Sequence, residues 1–92
     1  MTFGENLRRY RIQQNIKQQD LASRVGYSTA QICHIEQNKR RVDPNVVLRL
    51  FIPALGINPF SELAQYFVAL AEASYWQTDR ANYTHKNKSL RK

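Results

Sequence analysis

The sequence predicts an all-α chain of five helices, and three observations lead there. Apolar residues recur at spacings of three and four through most of the chain. Short polar caps and residues tolerant of left-handed backbone alternate at the intervals expected of helix starts and ends. No run alternates apolar and polar residues long enough to make a convincing strand, and no internal repeat is visible.

The first helix opens on Thr2-Phe3-Gly4-Glu5, a capping-box sequence in which a hydroxyl accepts a first-turn N–H and a carboxylate reaches back. Phe3, Leu7 and Tyr10 then line one face over roughly residues 3–14, and Asn15 follows as a left-handed terminator. A second helix carries Leu21, Ala22 and Val25 on one face and closes at Gly26, although Lys17 stands where Ser or Thr would cap it. Ser28-Thr29-Ala30-Gln31 is another capping box; it opens a third helix that buries Ile32 and Ile35 and ends near Asn38. Asp43-Pro44 starts a fourth, through Val47, Leu48 and Phe51 to Leu55-Gly56, which Pro53 must kink or interrupt. Asn58-Pro59 opens a fifth, with Phe60, Leu63, Ala64, Phe67, Leu70 and Ala71 on its apolar side and Tyr75-Trp76 extending it. From about Ala81 apolar periodicity stops, and a mobile basic tail is expected.

Charge divides the chain in the same way. Fourteen Lys+Arg against seven Asp+Glu give +7, a balance that points to phosphate polyanions or an anionic surface. Residues 1–49 hold nine basic and four acidic side chains, net +5. Residues 50–79 hold no Lys or Arg and three acids, net −3, and residues 80–92 are net +5. The reading is therefore a basic, polyanion-binding core over 1–57, an apolar helix over 58–80 for core completion and self-association, and a flexible tail over 81–92. No apolar run approaches the ~18 residues of a membrane span, and the N-terminus has no signal-peptide core. With a single cysteine, Cys33, no disulfide can staple the fold, so a cytoplasmic protein is expected, not a membrane one. There is no P-loop, metal-ligand cluster or nucleophile–base pairing, and His34 and His85 lie far apart; neither enzyme activity, cofactor nor metal is expected.

The second and third helices are joined by about three residues, Gly26-Tyr27-Ser28, the helix-turn-helix arrangement whose second helix enters the DNA major groove. The stretch from Ile16-Lys17-Gln18-Gln19-Asp20-Leu21-Ala22 through Ser23-Arg24-Val25-Gly26-Tyr27-Ser28, then Ile32 and Ile35-Glu36-Gln37-Asn38-Lys39-Arg40, resembles the Cro/phage-repressor (XRE) helix-turn-helix family. The resemblance covers about residues 3–57 and implies a lambda-repressor-like fold of five helices. It also implies a partly buried salt bridge between Arg11 and Glu36, and base reading by Thr29, Ala30 and His34.

Around those positions, Gln31 and Cys33 complete the DNA-facing side of the third helix, with Gln37 as a further candidate. Thr29 and Ala30 can meet a thymine methyl and His34 can bond guanine N7 or O6, but none makes a bidentate base contact. Cys33 reads as a bystander thiol, since no partner cysteine exists. Phosphate contacts are expected from Gln18 and Gln19 at a helix N-terminus, from Ser28, and from the loop Asn38-Lys39-Arg40-Arg41. Asn38 stands where the family usually has glycine, and the loop to Pro44 is about two residues longer than usual. The implied function is a sequence-specific transcription regulator of a prokaryote or phage, a repressor-type protein binding double-stranded DNA as a homodimer. Phe60, Leu63, Phe67, Leu70, Tyr75 and Trp76 are the expected dimer face. The alternative is an antitoxin-like interaction module that binds a protein partner and autoregulates its promoter.

Overall fold

The computed structural model describes residues 1–75; Trp76, His85 and the segment read as a mobile tail lie outside them. Five helices make up the described chain: α1 (Phe3–Gln13), α2 (Gln18–Val25), α3 (Thr29–Glu36), α4 (residues 44–54) and α5 (residues 62–75). No strand occurs among the described residues, so the expected all-α class is what forms.

Helix starts follow local chemistry. Thr2 Oγ1 accepts the Glu5 N–H at 3.2 Å while the Glu5 carboxylate accepts the Thr2 N–H at 3.0 Å. The Thr2 backbone bond, then its hydroxyl, holds the Glu5 carboxyl below its ordinary pKa, because both donors favour the charged form. Ser28 and Gln31 repeat the exchange at α3, with bonds of 3.1 and 2.8 Å. No side chain caps α2 at Lys17.

Four helix ends share one device. Asn15, Gly26, Asn38 and Gly56 adopt φ values of 57°, 78°, 61° and 73°. The N–H of the next residue (Ile16, Tyr27, Lys39, Ile57) then donates to the carbonyl five residues back, at 2.8–3.0 Å. These are Schellman closures, which satisfy carbonyls that a helix end would otherwise leave open.

The fourth helix departs from a simple kink. Asp43 caps it, its carboxylate accepting the Asn45 N–H at 2.7 Å. Pro44–Val46 is α-helical, Val47–Phe51 forms a π-helical turn, and Ile52–Ala54 is α-helical again. A proline at position 53 offers no N–H to the Arg49 carbonyl and crowds it; widening the preceding turn relieves the clash without breaking the helix. Val47, Phe51 and Ile52 face inward, whereas Leu48 is exposed.

The fifth helix begins later than Asn58-Pro59. The Asn58 side chain accepts the Phe60 N–H at 2.9 Å, making a turn, and Ser61 Oγ accepts the Ala64 N–H at 3.2 Å as the true cap. Its inner face is Ala64, Phe67 and Ala71, all buried. Phe67 meets Tyr10 and Phe3 edge-on at 5.8 and 6.2 Å, and Phe3 meets Phe51 at 6.2 Å. Each such pair contributes about 0.5–1.5 kcal/mol beyond area burial. Phe67, expected on a dimer face, is thus corrected to the monomer core: a side chain with no accessible surface has none to offer a partner. No helix among the described residues is long and apolar enough to cross a membrane.

Candidate nucleic-acid interface

The geometry of the site starts from the packing of α2 on α3. Ala22 is 3% exposed at the crossing, where a larger side chain would force the helices apart, and Leu21, Val25, Ile32 and Ile35 fill the core beside it. With Ile32, Ile35 and Glu36 turned inward, α3 presents Thr29, Ala30 and His34 to solvent. Gln31 and Cys33 are half-buried on the same element. Gln31 is tied by its carbonyl oxygen into the α3 capping box, and Cys33 Sγ accepts a hydrogen bond from Gln37 at 3.3 Å.

A buried ion pair fixes α3 to α1. Arg11 Nε and Nη2 donate to the two Glu36 carboxylate oxygens at 2.6 and 3.0 Å, and Nη1 donates to the Ile16 carbonyl at 2.8 Å. The side chains are only 10% and 2% exposed. The Gln18 amide adds a bond to Glu36 at 3.0 Å. One carboxylate therefore ties together the first three helices, and every guanidinium nitrogen of Arg11 has an acceptor. Nearby, α1 lies so close to the C-terminus of α3 that a Cβ on Gly4 would overlap the Ile35 carbonyl oxygen and lie 2.9 Å from that of Glu36.

The anticipated phosphate contacts fall into two groups. Gln18, Gln19 and Thr29 share an open groove of about 510 Å³ with Arg8, Arg11 and Lys17. The Gln18 amide is drawn inward by its bond to Glu36, while its backbone N–H stays at the open start of α2. Ser28 Oγ accepts the Gln31 N–H as the α3 cap, which leaves its own O–H to donate. Asn38, Arg40 and Arg41 instead border a crevice beside Phe3 and Gly4, and Lys39, Arg40 and Arg41 are all exposed. The Arg40 guanidinium lies over the Tyr27 ring, 5.4 Å from its centroid.

Three residues that border these surfaces are not among those the sequence pointed to. Arg8 and Lys17 line the first groove; Arg8 sits three residues before Arg11 on the same helical side, a spacing that could have flagged it. Tyr27 could not be found this way, because its contact with Arg40 crosses from one loop to another. A third basic side chain, Arg24, is occupied elsewhere, donating to the Ala54 carbonyl at 2.8 Å. Among the described residues no group of three or more His, Cys, Asp or Glu could hold a metal ion.

A family model described as a helix-turn-helix domain matches residues 2–53, more than half of the chain. Neither the curated proteins nor the solved structures gave a match to the chain. The matched segment runs from the α1 cap to Pro53, and includes the clamp, the turn and α3. The chain belongs to the Cro/XRE-type group of helix-turn-helix DNA-binding domains.

Proposed function

We propose that this protein is a sequence-specific transcription regulator that reads double-stranded DNA with α3 and acts as a homodimer on a two-fold operator. The observation that carries the reading is the outward Thr29-Ala30-His34 face of α3, held at a fixed angle by the Arg11–Glu36 clamp. Specific recognition needs a few side chains presented rigidly to base edges, with cations on the phosphates to either side. Here His34 bonds guanine, Thr29 and Ala30 pack on thymine methyls, and Gln31 and Cys33 line the edge of the contact. Gln19, Lys17 and Arg8 meet one stretch of backbone, joined by the free N–H groups at the start of α2. Asn38, Lys39, Arg40 and Arg41 meet another.

Dimerisation rests on the outer side of α5 and the turn before it. Phe60 is 89% exposed, Leu63 and Tyr66 are exposed at 38% and 46%, and Leu70 and Tyr75 are half-buried. No Lys or Arg lies between residues 50 and 79, so the face carries no cation of its own to repel a second copy. A dimer would place two α3 helices on half-sites about one DNA turn, ~34 Å, apart.

Selection from a random duplex library tests the reading directly. The expected product is a motif of two inverted half-sites spaced by about one helical turn. His34→Ala should relax selection at one or two positions in each half, whereas Arg40→Ala should weaken all sequences alike and lower the salt slope by about one. Recovery of no motif by the intact chain would overturn the assignment.

A further inference from the structure

We infer that Tyr27 is a positioning residue for Arg40: its ring holds the guanidinium of the basic loop where it meets a DNA phosphate. The inference rests on the DNA-binding reading above and deepens it.

Arg40 sits on an exposed loop, where a long cationic side chain is ordinarily spread over many rotamers and loses that freedom on binding. Here it lies 5.4 Å from the Tyr27 centroid, inside the ~6 Å reach of a cation–π contact. The platform is itself anchored. Tyr27 packs edge-on against the fully buried Phe51, with centroids 5.7 Å apart and planes at 85°. Its N–H is held by the Ala22 carbonyl at 2.9 Å in the closure that ends α2.

The contact also leaves the right atoms unused. Holding a guanidinium through a ring face does not consume its N–H donors, which remain for the paired oxygens of a phosphate. Arg11 and Arg24, by contrast, spend donors on Glu36, Ile16 and Ala54. Among the described residues, Arg40 makes no hydrogen bond or ion pair, and no other cation of the loop lies over a ring. Tyr27 immediately precedes Ser28, the cap of α3, so the ring sets the place of the phosphate anchor relative to the start of the recognition helix.

The test is a double-mutant cycle read by DNA affinity and its salt dependence. Tyr27→Leu should weaken binding roughly two- to five-fold per protomer, the size of an exposed cation–π contact, and leave the salt slope unchanged because Arg40 still meets its phosphate. Tyr27→Phe should bind as the parent does. In an Arg40→Ala background the leucine change should have no further effect on affinity. Since Tyr27→Leu also disturbs Phe51, phenylalanines of increasing fluorination at position 27 supply a second arm. Affinity should fall stepwise with fluorine content while the thermal midpoint stays in place. A flat fluorine series, or additive losses in the cycle, would overturn the inference.

A measurement without DNA separates this proposal from its foundation. The Arg40 side-chain protons should be shifted upfield in the free protein and return to ordinary positions in Tyr27→Leu. Unshifted protons in the parent refute the positioning contact itself. Shifted protons in a protein that retains no duplex refute the DNA reading, and the role of Arg40 falls with it.

Discussion

Removing Glu36 should cost this domain a large share of its stability. Glu36→Ala deletes both bonds from Arg11 and the one from Gln18, leaving the Arg11 guanidinium with a single acceptor, the Ile16 carbonyl. The stranded charge has only 10% side-chain exposure and cannot recover its hydration without moving α1. Breaking one side of a buried pair costs about 3–5 kcal/mol. At the usual 0.05–0.15 kcal/mol per residue, the 75 described residues supply roughly 4–11 kcal/mol in total, so the loss consumes a large share. The double variant Arg11→Met/Glu36→Leu should behave oppositely, between neutral and about 4 kcal/mol more stable than the parent, because no charge is left to desolvate. Urea unfolding of the three proteins, compared at constant m value, measures both quantities. A loss below about 1 kcal/mol for Glu36→Ala would place the pair among exposed surface bridges and refute the reasoning.

Three further outcomes follow from the packing and the caps. Gly4→Ala should cost about 1–3 kcal/mol and lower the thermal midpoint by several degrees, since the clash is with backbone carbonyls that cannot rotate away. Phe67→Ala should cost about 3–5 kcal/mol of unfolding free energy, whereas Phe60→Ala should change monomer stability by less than about 0.5 kcal/mol and weaken self-association in sedimentation. The Glu5 carboxyl, held below its ordinary value by Thr2, stabilises the fold only while it is charged. A stability gap between the parent and Glu5→Ala should therefore be fully present above about pH 4.3 and close as pH falls through the lowered value; a gap unchanged well into acid would contradict this.

How much the sequence foretold depended on how local each interaction is. The capping boxes at Thr2 and Ser28 and the terminators Asn15, Gly26 and Asn38 concern residues within one turn of each other, and they were readable. The start of α5 was misplaced because Asn58 and Ser61 both have capping chemistry, and only the hydrogen bonds decide that Asn58 makes a turn while Ser61 caps. The π-helical turn before Pro53 was visible only as a problem the chain had to solve, not as its solution. The place of Gln18 at a helix start points to a phosphate and says nothing of its side-chain bond to Glu36, for which the signal is the inner side it shares with Ala22 and Val25 at i+4 and i+7. Phe67 and Leu63 read alike in an apolar stripe, and it is the aromatic edge contacts with Phe3 and Tyr10 that separate core from surface. Arg40 over Tyr27 had no sequence periodicity to betray it.

The four Schellman closures have a bearing on how the chain is made. Each reversal is hydrogen-bonded to the helix it terminates, so the rods and their bends can be written by neighbouring residues alone. Few closures are then left to a long search: Arg11 must find Glu36, 25 positions on, and Phe3 must wait for Phe67, sixty-four positions later. Helical chains of such low contact order fold in microseconds to milliseconds once complete. On a ribosome adding ~5–20 residues per second, synthesis is by far the slower clock. The aromatic face of the first helix thus stays uncovered for seconds after the helix-turn-helix of residues 2–53 has left the tunnel, until the last described helix arrives to shield it.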